Sequence, residues 1–175
     1  MNLKKWYLLS MVGKDKPGIV AKLSAKLCKN GCNLGDSSMA RLGNNFVIML
    51  AVQFDGSQSA LNNIVSPLAG SLGLNKHITK IEEGVHQIEP DVRINLFSED
   101  RMGIIEDVSG VLTESGLNIL SLESNLESTQ PNNTYSIHIE GTVSNGITPL
   151  YKALDRLSDE KKIQSQLIPI NSQIA

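Results

Sequence analysis

The chain reads as an α+β protein built from two tandem βαββαβ units. Each unit is expected to be a four-stranded antiparallel sheet with two helices on one face. Three observations predict this. Asp15-Lys16-Pro17-Gly18-Ile19-Val20 returns as Asp100-Arg101-Met102-Gly103-Ile104-Ile105, at an offset of 85 residues. Asn30-Gly31-Cys32-Asn33-Leu34 returns at the same offset as Ser115-Gly116-Leu117-Asn118-Ile119. Around these blocks, strand-like and helix-like stretches follow one another in the same order in both copies. So long a period marks duplicated domains rather than a solenoid, whose repeats run roughly 20–50 residues.

Each copy opens with a short β-rich run, Trp6 to Val12 and Val92 to Phe97. An acidic loop and a helix follow. Ile19, Val20, Leu23 and Leu27 fall on one helical face in the first copy; Ile104, Ile105, Val108, Val111 and Leu112 do so in the second. Gly31 and Gly116 supply the left-handed residue that ends a helix, and a second strand begins at Asn33 or Asn118. Gly43-Asn44-Asn45 turns the first hairpin, and Phe46 to Phe54 returns. The second hairpin turns near Ser128 to Asn133, and Tyr135 to Thr142 returns. Second helices are marked by Leu61, Ile64, Val65, Leu68 and Leu72, and by Ile147, Leu150, Tyr151, Leu154 and Leu157. Last strands cover Leu74 to Glu82 and Ile163 to Ile170. The expected division is therefore a first domain over 1–82, a polar linker over 83–90 and a second domain over 91–175. This order is the ferredoxin-like unit, which leaves one sheet face free of helices.

That open face differs between the copies. Trp6-Tyr7-Leu8-Leu9 and Phe46-Val47-Ile48-Met49-Leu50 are apolar on both sides, whereas a sheet wet on one face should alternate. Tyr135, Ile137 and Ile139 do alternate with Ser136, His138 and Glu140. The first sheet is thus expected to be covered on its open face, either by the second repeat of the same chain or by a second chain, and a homodimer in which the first repeats bury more of the apolar area is the favoured arrangement.

Composition narrows the function. Sixteen basic residues stand against eighteen acidic ones, for a formal charge of −2, with no basic run. A direct grip on nucleic acid, which needs a basic stripe, is not expected. Nor is a signal peptide or a membrane span, so a cytoplasmic protein is expected. Cys28 and Cys32, with three scattered histidines, suggest buried or half-buried thiols rather than a metal site. No phosphate-binding or nucleophile-elbow pattern occurs and no nucleophile–base pair stands out, so neither an enzyme nor a cofactor is expected.

The chemistry falls on the loop before each first helix. A helix start presents unpaired N–H groups and a positive dipole end, which suit a carboxylate. Gly18 and Gly103 let a ligand approach the backbone. Asp15 and Asp100 either accept a ligand's ammonium group or cap the helix. Pro17 suits a first helical turn in any case. Asn33 and Asn118 either reach the same ligand or satisfy backbone after the glycine turn. The candidate ligand-binding set is Asp15, Lys16, Pro17, Gly18, Ile19 and Asn33, with Asp100, Gly103 and Asn118 in the second copy. Arg41 is read as an exposed residue, and Asp36 and Ser37 as part of an edge strand.

At Asp-x-Pro-Gly-Ile-Val, then Asn-Gly-Cys-Asn-Leu-x-Asp-Ser, then Gly-x-x-Phe, the chain resembles the ACT domain family, across about residues 5 to 170. The second copy departs from the pattern where Met102 replaces the proline. The resemblance implies an amino-acid sensor, with glycine or serine as the effector. It implies a repressor of glycine breakdown that engages a LysR-type activator rather than DNA. It also implies a site made of loop backbone, an Asp and an Asn, completed by a neighbouring ACT domain. The alternative it leaves is a regulatory subunit of an amino-acid or one-carbon enzyme.

Overall fold

The computed structural model describes residues 5–82, 88–128 and 133–170. The chain divides into two compact units, Met1–Gln87 and Ile88–Ala175. Most of the expected linker, and most of the second hairpin's turn, lie outside the described residues.

In the first unit the strands are β1 (Lys5–Lys14), β2 (Asn33–Leu42), β3 (Asn45–Phe54) and β4 (Leu74–Ile81). They form one antiparallel sheet ordered β2-β3-β1-β4, joined by helices α1 (Ile19–Lys29) and α2 (Gln58–Leu72). The second unit repeats this with β5 (Val92–Glu99), α3 (Ile104–Glu114), β6 (Leu117–Ser128), β7 (Asn133–Val143), α4 (Thr148–Lys161) and β8 (Gln164–Pro169), ordered β6-β7-β5-β8. The expected ferredoxin-like architecture is present twice.

Local chemistry sets the boundaries. Ser57 caps α2, its hydroxyl accepting from the Ala60 N–H at 3.1 Å, and left-handed Gly73 ends the helix. Lys26 and Lys29 sit in the last turn of α1, where the dipole favours cations. Both second strands carry a register shift at the same place, between Leu34 and Ser37 and between Ile119 and Ser121. The first of these seats Gly35 under the Trp6 ring, where a Cβ would come within 2.8 Å of it.

Each core lies between the helices and one face of its own sheet. Tyr7, Leu9 and Met11 on β1 meet Leu23 of α1 and Leu61 and Val65 of α2. Ile94 and Leu96 on β5 meet Val108 and Leu112 of α3 and Leu154 of α4. Three expectations need correction. Val20 and Tyr151 are exposed, because the buried stripes of α1 and α4 centre on Leu23 and on Ala153–Leu154. Cys28 is also exposed, about 100° around the helix from buried Leu27; Cys32 is buried, and burial, with Cys28 nearby, pushes its thiol pKa up.

Candidate functional site

The two strand-to-helix loops share one geometry. Gly18 precedes α1 at φ 82° and ψ 10°; Gly103 precedes α3 at φ 82° and ψ 5°. This left-handed backbone favours glycine, which explains its return in both copies. Neither helix start has a side-chain cap. Asp15 and Asp100 stand three residues ahead of the capping position, too early to cap, so the capping alternative fails. The capping position of α1 and of α3 therefore brings no side-chain acceptor to the first-turn N–H groups. A Cβ at Gly103 would meet nothing within 4 Å, and one at Gly18 only the Lys22 Cε at 4.0 Å. The approach to each helix start is open at this point; the donors and dipole of α1 suit an anion, whereas the first turn of α3 already carries Glu106 and Asp107.

The other loop residues divide into those that face outward and those already engaged. Asp15 Oδ2 lies 3.4 Å from Arg41 Nε, and Arg41 also donates to the Gly43 carbonyl at 3.1 Å. Arg41 is thus the partner that reading the sequence alone missed; it is brought in by the β2–β3 hairpin, which also accepts the Asp15 N–H at Asn44 O, 2.9 Å. Lys16 turns away from the helix start and donates from Nζ to Leu72 O at 2.7 Å, at the C-terminus of α2. Ile19 buries its side chain in the core and offers only its N–H. In the second loop Arg101 does not copy Lys16. It lies 2.6 Å from Asp107 in the first turn of α3, with Lys161 of α4 3.4 Å from the same carboxylate. Met102, in place of the proline, is 97% exposed.

Asn33 does not join this group within one unit. Asn33 pairs with Gln53, which pairs with Trp6 at the start of β1, whereas the loop leaves β1 at Lys14. That separation is about eight strand residues, or roughly 26 Å. Asn118 is likewise opposite Thr142, at the far end of its sheet from Asp100, and its Nδ2 lies 3.5 Å from Thr142 Oγ1. A single amino acid cannot touch Asp15 and Asn33 of the same unit, because α1 carries the chain back along the whole sheet between them.

Clefts open elsewhere. One of about 730 Å³ lies beside α2 and β4 and is lined by Gln58, Asn62, Asn63, Lys76 and His77. Another, of about 330 Å³, is lined by Phe97, Ser98, Thr134, Lys162 and Gln164. Among the described residues no group of three or more His, Cys, Asp or Glu is arranged to hold a metal ion, and no helix is long and apolar enough to cross a membrane.

Comparison with known proteins matches a family to the first unit and a fold to nearly the whole chain. Residues 6–79 match the ACT domain family. The chain is 25% identical over 148 residues to the glycine cleavage system transcriptional repressor of Escherichia coli (strain K12), covering 81% of this chain and 76% of that protein. Two solved structures share the fold over 97% of the chain. One is an unknown protein from Galdieria sulphuraria, with TM-score 0.77, 24% identity and 100% of that chain covered. The other is a candidate glycine cleavage system transcriptional repressor, with TM-score 0.72, 23% identity and 99% of that chain covered.

Proposed function

We propose that the chain, a tandem ACT protein, is an amino-acid-responsive regulator that represses the glycine cleavage system through a protein partner. The observation that carries this reading is the 25% identity to the E. coli repressor over 148 residues, a span longer than either repeat. The loop geometry supports it by offering an effector a place. The open α1 start can receive a carboxylate, and the Asp15 carboxylate, which Arg41 contacts through Oδ2, has Oδ1 to accept from an ammonium group. A small amino acid such as glycine or serine is the effector this reading assigns to this place. Asn33 enters the site only from a second copy, whose first unit would present its opposite end to the loop. The partner is a LysR-type activator, and a net charge of −2 disfavours a direct hold on phosphate. The chain works as a homodimer, whose second copy covers the apolar open face of the first sheet.

The test is calorimetric titration of the full chain with glycine and with serine. Asp15→Ala should weaken binding roughly 10- to 100-fold, the worth of a charge-assisted hydrogen bond. Unchanged affinity in a folded variant would leave Asp15 with only its Arg41 contact. Co-purification with a LysR-type activator, released by the same amino acid, is the expected partner result; co-purification with a metabolic enzyme would make the chain a regulatory subunit instead.

A further inference from the structure

The open face of the second sheet holds a connected polar cluster that the loops do not use. Arg93 on β5 and Glu140 on β7 stand opposite each other, with Arg93 Nε and Nη2 at 2.9 and 2.7 Å from Glu140 Oε1. The next pair in register is Asn95 and His138, whose Oδ1 and Nδ1 are 2.8 Å apart. With Asn95 Oδ1 as the acceptor, His138 Nδ1 donates, and Nε2 is the ring nitrogen left for another partner. The Phe97 ring meets His138 edge-on, with the ring centroids 6.4 Å apart. On β6, Glu123 lies opposite His138 and Ser121 opposite Glu140. Between Arg93, Ser121, Glu123, His138 and Glu140 opens a cleft of about 160 Å³. That is the share of about five water molecules, room for a solute of a few heavy atoms.

The charges in the cleft do not cancel. Arg93 and Glu140 neutralise each other. Glu123 has no ion pair or side-chain hydrogen bond among the described residues, and Ser121 has none either. One carboxylate, one hydroxyl and one imidazole nitrogen are therefore free to accept, which matches the three donors of a primary ammonium group. On the other side of the cleft Arg93 bonds Glu140 through Nε and Nη2, and Nη1 is the guanidinium nitrogen left to donate to a ligand carboxylate. The first unit cannot do the same, because its equivalent positions are Leu8, Ser10, Met49 and Ala51.

We propose that this cleft binds a small α-amino acid as its zwitterion, the ammonium group at Glu123, Ser121 and His138 and the carboxylate at Arg93. The inference rests on the reading that the chain answers to an amino acid, and it moves the second repeat's site from the Asp100 loop to the sheet face. The two repeats then hold different sites, a loop site in the first and a sheet-face site in the second.

The experiment is titration of the full chain with glycine and L-serine, by calorimetry and by NMR of the His138 imidazole, identified by its loss in His138→Gln. Wild type should show two classes of site per chain and a moving His138 signal. Glu123→Gln and Arg93→Gln, both at exposed positions, should each weaken one class at least tenfold and leave the other unchanged. Acetate and ethylamine, each carrying half of the zwitterion, should shift His138 far less than glycine. If glycine binds but neither variant changes affinity and His138 stays still, this inference falls while the amino-acid reading stands. If acetate alone matches glycine at His138, the ammonium pocket falls. If neither amino acid binds wild type, both readings fall.

Discussion

In the first unit the sheet face away from the helices carries Leu8 opposite Ala51, Ser10 opposite Met49 and Val12 opposite Val47. In the second unit the same three places carry Arg93 opposite Glu140, Asn95 opposite His138 and Phe97 opposite Ser136. The helix-facing side shows no such divergence. Leu9, Met11, Ile48 and Leu50 in one, and Ile94, Leu96, Ile137 and Ile139 in the other, are all buried and all apolar. Two helices must pack on one side of each sheet, so that side stays apolar in both copies. The other side answers only to what it meets. Its divergence implies that the two repeats meet different things: an apolar surface in the first, and a polar solute or water in the second.

The largest expected effect tests which side is which. Ile48 is 2% exposed and faces the helices; Val47, the next residue on β3, is 38% exposed and faces away. Ile48→Glu buries a carboxylate with no partner, which should cost more than about 4 kcal/mol and unfold the first unit. Val47→Glu should leave that unit folded and halve the mass seen by light scattering. Trp6, the chain's one tryptophan, lies in the first unit, so its fluorescence follows that unit's unfolding. A wild type that is already monomeric at high concentration would break the comparison, since the apolar face would then have no second copy to meet.

The two faces also mark how far the sequence could be read. The helical stripes and the order of elements were legible because burial imposes a period on neighbouring residues, as in Ile19, Leu23 and Leu27. The alternation of Ser136, His138 and Glu140 was legible too. What it joins was not: Arg93 and Asn95 lie more than forty residues earlier and come beside it only through the β5–β7 register. Asn33 misled for a related reason. In sequence it follows the loop and helix closely, yet the helix takes the chain to the other end of the sheet. Asp15 misled because aspartate is a favoured cap, whereas the position that does the capping is a left-handed glycine.

A smaller effect separates the two loops. Lys16 Nζ holds Leu72 O, at a helix end with no basic residue in its own last turn. Lys16→Met should cost the first unit about 1 kcal/mol, the net worth of one partly exposed hydrogen bond at a helix C-terminus. Trp6 fluorescence in a urea titration would show it as a lower midpoint with an unchanged slope. Arg101→Met, at the equivalent place, should leave the Trp6 transition where it is, because Arg101 serves α3 and not the first unit. Equal shifts from both variants would mean that the loops are tied down in the same way, against their geometry.

The smallest effect is one of pH and belongs to the second unit alone. The Arg101 guanidinium beside Asp107 holds its carboxyl below the ordinary value of 3.8, with Lys161 adding to this against a desolvation that pulls the other way. A carboxylate whose pKa is lower folded than unfolded lends stability that is fully present above its unfolded value. That stability is lost as pH falls through the folded one. The second unit should therefore lose it as pH drops from about 4 downward, and should gain nothing between pH 5 and 8 from this group. The first turn of α1 has no acidic residue, so the first unit lacks this contribution. Backbone hydrogen exchange across α3 and α4, compared at pH 6 and pH 3 after correction for intrinsic rates, should show protection falling at the lower pH. In Asp107→Asn the protection should start lower and change less between the two. If the variant keeps the full wild-type drop, the acid sensitivity belongs to other carboxylates and the Arg101–Asp107–Lys161 cluster is only a surface contact.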